Sequence, residues 1–286
     1  MRRLLYILIP TLLLTACLKE EYVHNNFEEQ LVVEGSIEQD GVAKVMLTLN
    51  MDFQEEMSEE TLSDKIVKYA VVCVTDLDSN ERETLIGMID KKYPTQYLYR
   101  GSRIVGRVGG RYRLDIEYSG RKWHATTTIP APNDLYDIVT EPLYDSVFYR
   151  IKATIKPNAE NLPYMIQCAT AFTAEEAPIY FPPALFGIIN NCEKEQRITI
   201  NRPLDYTNVF EYSTLFLWQE DVYIRFCTMS QFGYDYWSVW ENCTLNSLNP
   251  VFPVDEEPPT NISGGAAGIW MGYGVSYYRI SPLKTR

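Results

Sequence analysis

The chain has 286 residues, with 26 basic and 38 acidic side chains and a formal net charge of −12. That balance argues against a nucleic-acid partner, since phosphate binding needs clustered cations that release counterions; a solvated acidic surface accounts for it. Twenty-one Tyr and eleven Phe favour strands, where flat side chains pack across a pleated surface.

In chain order, residues 1–16 form a targeting segment. Arg2 and Arg3 give a positive start, and Leu4 to Leu14 form an apolar run broken by Pro10 and Thr11, too short to cross a bilayer as a helix. The run ends in Leu14-Thr15-Ala16-Cys17, which resembles the lipobox cut by the lipoprotein signal peptidase. The resemblance implies that the Cys17 thiol is diacylated, the leader removed and the new amine acylated. At about 0.8 kcal/mol per buried methylene, two or three chains hold a protein in lipid for its lifetime. Lys19-Glu20-Glu21, just past the anchor, resembles the surface-export signal of certain Gram-negative lipoproteins. The expected location is the outer membrane, anchored to lipid and facing the cell surface. Residues 17–30 are expected to be a tether.

Residues 31–130 carry closely spaced strand signals. The sequence predicts strands over 31–37, 43–49, 66–77 and 83–89, with an acidic loop and a short helical turn over 52–64. The clearest hairpin spans 111–129: Tyr112, Leu114, Ile116 and Tyr118 alternate with polar residues, and Ser119-Gly120 marks the turn. Pro130-Ala131-Pro132 ends the return strand. This pattern predicts an Ig-like or transthyretin-like β-sandwich.

Residues 131–286 start again with strands over 145–155, 163–172, 195–200 and 221–229. The apolar stretch 177–191 holds Pro178, Pro182 and Pro183 and is expected to be a loop. One amphipathic helix is predicted near 231–248, with Trp237, Trp240, Thr244, Leu245 and Leu248 on a single face. Gly264-Gly265-Ala266-Ala267-Gly268 is expected to be a tight turn with positive φ, followed by strands over 268–273 and 275–280. The fold class expected is mainly β, a sandwich followed by a second β-rich domain with one helix.

With Cys17 acylated, Cys73, Cys168, Cys192, Cys227 and Cys243 remain. An oxidising compartment permits bridges, and an odd count leaves one thiol unpaired. Four of the five fall in the second half, and Cys192 with Cys243 is the candidate pair, although sequence cannot decide the pairing. No C-x-x-C occurs and the chain has only two His, so no metal or cofactor is expected. His124 stands in a strand without any nucleophile motif, so no enzyme is expected. The aromatic residues Tyr180, Phe181 and Phe186 sit in a Pro-stiffened apolar segment, 177–189, that is expected to meet a partner or ligand.

Several short pieces recur together in a known order. The lipobox is followed by Leu31-Val32-Val33-Glu34-Gly35, then Gly110-Arg111-Tyr112-Arg113-Leu114 leads to Thr126-Thr127-Thr128-Ile129-Pro130. Tyr234-Asp235-Tyr236-Trp237 opens the helix, and Pro258-Pro259-Thr260-Asn261-Ile262-Ser263-Gly264-Gly265 follows it. Over most of its length the chain resembles a family of Gram-negative outer-membrane lipoproteins of unknown function, numbered four-two-four-nine. The resemblance implies an accessory role beside a TonB-dependent nutrient receptor, with no catalytic residues and no named cargo. The alternative expectation is a free-standing surface module for glycans or peptides.

Overall fold

The alternating patterns become sheets that share one long final strand. The computed structural model describes residues 28–51, 58–144, 147–173, 177–203, 214–247 and 256–282. Cys17, Lys19, Glu20, Glu21 and Leu248 lie outside the described residues.

In the N-terminal half, strands β1 (Leu31–Glu38), β2 (Val42–Leu49), β6 (Tyr97–Val105) and β5 (Ile86–Ile89) lie side by side in one sheet. They face a second sheet of β4 (Glu81–Thr84), β3 (Val71–Asp76), β7 (Arg111–Tyr118) and β8 (Arg121–Thr128). The alternation read from Tyr112, Leu114 and Ile116 places these side chains inside, where they pack with Leu31, Val33, Ile37, Val45, Leu47 and Trp123. Ser119 and Gly120 both have positive φ (49° and 75°), the backbone of a two-residue hairpin turn whose twist matches its strands. The helical turn is α1 (Glu59–Asp64), capped reciprocally by Ser58 and Thr61. Residues 83–89 do not form one strand. The chain changes sheets at buried Leu85, so β4 pairs with β3 while β5 pairs with β6.

The C-terminal half adds β9 (Leu135–Leu143), β10 (Phe148–Ile155), β13 (Gln196–Ile200) and β14 (Phe216–Leu217) as one sheet. It packs against β11 (Tyr164–Ala171), β12 (Pro183–Ile189) and β15 (Asp221–Thr228) through Tyr149, Ile151, Ile166, Ile224 and Phe226. The two segments 268–273 and 275–280 form a single strand, β16 (Ala267–Ile280). Its first half runs parallel to β1 and its second half antiparallel to β15. The result is one eight-stranded sheet in the order β12-β11-β15-β16-β1-β2-β6-β5, whose inner face closes both sandwiches. The last strand therefore completes the first sandwich, with Trp270 fully buried in that core.

Helix α2 (Gln231–Ser247) matches the predicted span. Ser230 caps it by accepting the Gly233 N–H. Tyr236 and Trp237 pack on the outer face of the sheet against Met165, Cys227, Met229, Ile269, Met271 and Tyr273.

The expected loop over 177–191 also needs correcting. Residues 183–189 within the expected loop form β12, which pairs with β11 and, among the described residues, carries no more than an isolated bridge from Ala184 to Pro203 on its other side. Pro183 is tolerated because it is the first residue of an edge strand, where no ladder donor is missed.

Candidate functional site

Side-chain alternation decides what the eight-stranded sheet shows to each side. On β1, Leu31, Val33 and Ile37 enter the sandwich core, whereas Glu34, Ser36 and Glu38 face outward with Lys44 and Met46 of β2. Gln167 of β11, Arg225 of β15 and Tyr273 and Tyr277 of β16 join them on this outer face. Helix α2 covers part of the face, and the chain segment 179–183 crosses another part. Between them lies a cleft with two lobes that meet at Glu34, Tyr180 and Trp237.

The polar lobe is small, about 80 Å³, and within it Arg225 and Glu38 are already paired. Arg225 bonds Glu38 at 2.6 Å and also Gln167, and its guanidinium lies 5.1 Å from the centre of the Tyr273 ring. Tyr277 donates its hydroxyl proton to Glu38 at 2.9 Å. Burial alone would raise the Glu38 pKa, but Arg225, Lys44 and the Tyr277 hydrogen bond hold it below the usual carboxylate value. This network ties β1 to β15 across β16.

The apolar lobe is larger, about 420 Å³. Pro182, Pro183 and Leu185 form one wall, and Tyr236, Trp237, Trp240, Thr244 and Leu245 of α2 form the other. The helix rings are braced: Trp237 stands edge-on to both Tyr236 and Trp240, with centroids 5.2 and 5.4 Å apart, and its Nε1 donates to Tyr273 at 2.8 Å. Tyr180 packs on Tyr93 (5.7 Å) and Phe181 on Tyr277 (6.1 Å), so the crossing segment is pinned at both ends of the polar lobe.

Glu34 sits where the lobes join, and its situation is unlike that of Glu38. Its side chain reaches the cleft water while protein closes round it on the remaining sides. Among the described residues no hydrogen bond or ion pair reaches its carboxylate, and desolvation raises its pKa to about 7. Its charge in turn helps push up the hydroxyls of Tyr236 and Tyr273. At the far side of the apolar lobe, Glu241 accepts the Phe186 backbone N–H at 2.7 Å, and burial raises its pKa as well.

Of the residues picked from sequence, Tyr180 and Phe181 line the cleft, half-buried. Phe186 does not; it is exposed on the edge strand β12 with φ 55°. Trp237, Trp240, Thr244 and Leu245, the predicted helix face, form the cleft wall. The candidate bridge is corrected. Cys192 is packed in the core between the C-terminal sheets, whereas Cys243 belongs to α2 on the opposite face, and both thiols are free. His124 is exposed on β8, and its Nδ1 lies 2.8 Å from Ser263 Oγ, which also accepts the His124 backbone N–H; neither residue lines the cleft. Among the described residues no group of three His, Cys, Asp or Glu could hold a metal, and no helix is long and apolar enough to cross a membrane.

Glu34, Lys44 and Arg225 were missed by the sequence reading. The outward set Glu34, Ser36 and Glu38 could have been taken from the alternation, but what covers it could not, since α2 begins nearly two hundred residues later.

Residues 19–277 match the model of a domain of unknown function, DUF4249. The chain belongs to the DUF4249 family. The match takes in the strands of the eight-stranded sheet up to residue 277, within β16, and all the residues that line the cleft. No curated protein matches the chain.

Proposed function

We propose that this DUF4249 protein is a lipid-anchored binding protein of the outer membrane, held through Cys17 and facing the cell surface. In this reading it works as an accessory of a TonB-dependent nutrient transporter and holds cargo in the cleft. The observation that carries the binding role is the 420 Å³ aromatic-walled lobe with a carboxylate left unpaired at its mouth. Pockets of about 300–1,000 Å³ with apolar walls and a few convergent polar groups are the usual form of small-ligand sites. The address rests on Leu14-Thr15-Ala16-Cys17 and on Lys19-Glu20-Glu21, and the transporter partner on the resemblance of the motifs.

Binding is preferred over catalysis because, among the described residues, no nucleophile–base pair lines the cleft. His124 and Ser263 lie elsewhere, on an exposed edge. A second reading, a free-standing glycan or peptide module, draws support from the Trp237 and Trp240 rings that line the apolar lobe, since aromatic faces suit sugar rings and peptide side chains.

The test is a pull-down from detergent-solubilised outer membranes, with protease shaving of intact cells. Co-purification with a barrel receptor, and loss of the protein on shaving, are expected. A protein that runs alone and survives shaving contradicts the accessory and surface roles together.

A further inference from the structure

A carboxylate exposed at the mouth of an aromatic-walled cleft, with no protein partner among the described residues, is a counter-charge open to a ligand. Most ionisable groups with little access to water are paired or hydrogen-bonded, because burial without a partner penalises the charged form. Glu38, four residues along the same strand, obeys this rule through Arg225 and Tyr277. Glu34 has no such partner among the described residues and is exposed to solvent, although Arg225 and Lys44 line the same cleft. In the polar lobe Arg225 pairs with Glu38 and Lys44 adds its charge to the same carboxylate, while Glu34 also faces the roomy apolar lobe.

That lobe complements a positive group in two further ways. Tyr236, Trp237, Trp240 and Tyr180 surround the space beside Glu34, and ring faces attract cations through their quadrupole. Glu241 supplies a second carboxylate across the lobe. The remaining walls, Pro182, Pro183, Leu185 and Leu245, are apolar. The crossing segment, pinned by the Tyr180–Tyr93 and Phe181–Tyr277 contacts, closes the end toward the polar lobe.

From this placement we infer that the cleft binds a small organic cation, a primary ammonium on an aromatic or branched apolar body, with Glu34 as the counter-charge and α2 as the apolar wall. The inference rests on the reading of the cleft as the ligand site and adds the chemical class of the ligand. Its pH dependence follows. Glu34 is raised to about 7, so below that value the free protein must lose a proton to bind. Affinity for a permanently charged amine should then fall by up to tenfold per pH unit. The other groups facing Glu34 are Glu38 on its own strand, Lys44 on β2, Arg225 on β15, Tyr273 on β16, Tyr236 and Glu241 on α2, and Tyr93 and Tyr180 on the loops. Burial raises the Tyr93, Tyr236 and Tyr273 hydroxyls and lowers Lys44, while Arg225 is held above its ordinary value. Glu241 is also raised and adds to the fall in the same direction.

The test uses the delipidated chain from residue 18 onward and tryptophan fluorescence, with calorimetry as a second readout. The probes are phenethylammonium, its neutral isostere 2-phenylethanol and the anion 3-phenylpropionate. Phenethylammonium is expected to bind at pH 8, at least tenfold tighter than either isostere. Glu34→Gln should weaken it at least tenfold and flatten the pH profile between 5.5 and 8.5, and Trp240→Ala should weaken it with the pH profile kept. Thermal melts of both variants establish that they are folded. If 2-phenylethanol binds as tightly, or Glu34→Gln binds the amine unchanged, the cation inference is overturned while the cleft stands as a ligand site. If no probe binds up to millimolar concentration, or binding survives both substitutions, the cation inference is overturned and the reading of the cleft loses its support. A failure to co-purify with a receptor bears on the accessory role alone.

Discussion

The two faces of the eight-stranded sheet are one residue apart in sequence and opposite in chemistry. On the inner face, Gly35 of β1 leaves room for Trp270, its register partner on β16, whose indole is fully buried and donates to the Tyr112 carbonyl at 3.2 Å. Asn261 brackets the Trp270 backbone from the other edge, accepting its N–H and donating to its carbonyl. On the outer face, the neighbouring Glu34 has no partner among the described residues. A carboxylate on the sealed side shows what pairing looks like: Glu83 accepts the N–H groups of Ser102, Arg103 and Ile104 and the Ser102 hydroxyl, joining β4 of one sheet to β6 of the other. Burial alone would raise the Glu83 pKa, yet those backbone donors, Ile104 first, hold it below the ordinary value. The sealed face satisfies its polar groups and supplies stability. The open face leaves one charge unsatisfied, and that is where a ligand has something to gain.

The largest expected effect breaks the sealed face. Trp270→Ala should cost about 3–5 kcal/mol in a denaturant titration, from lost transfer energy and the cavity left behind. Glu83→Gln should cost about 2–3 kcal/mol, because amide groups cannot accept from all the donors a carboxylate serves. Its sign with pH is also fixed. A carboxyl whose folded pKa is lowered contributes stability above its unfolded value and loses it as pH falls through the folded one. The wild type should therefore lose more stability on acidification than Glu83→Gln does. Gly35→Ala should cost about 1–3 kcal/mol, since the added Cβ comes within 2.8 Å of the Trp270 ring and a packed core resists added volume.

The open face should respond in the opposite direction. Glu34 is raised from 4.5 to about 7, so the unfolded chain ionises first and the folded state loses stability as pH rises between those values. Glu34→Gln should therefore stabilise the protein by about 1 kcal/mol at pH 8, after discounting for solvent screening of a side chain open to water, and by nothing at pH 4. Paired melts at the two pH values measure the difference. A loss of stability at both would place Glu34 with Glu83 as a structural group.

Much of the framework was legible because it depends on local pattern. The Tyr112, Leu114 and Ile116 alternation, the Ser119-Gly120 turn and the single-face aromatics of α2 each declare themselves within a short window. What escaped depends on distant partners. Strand β12 hides behind Pro183, which is harmless only because the strand lies at an edge. Strand β6 carries Arg100, Gly101 and Arg103 within its run, and only its pairing with β2 and β5 orders it. That β16 would serve both halves needed Trp270 to find a core built by residues far upstream. Tyr180 and Phe181 were found because proline and aromatic residues coincide in one loop. Glu34 was not, because a glutamate between valine and glycine looks like any solvated strand position until α2 is laid over it.

The account turns on the charge of one side chain, and NMR of the Glu34 carboxyl carbon over pH measures it directly. A midpoint near 7 in the free protein, falling when phenethylammonium is added, is the predicted result. A midpoint in the ordinary carboxylate range that does not move with the amine would contradict it.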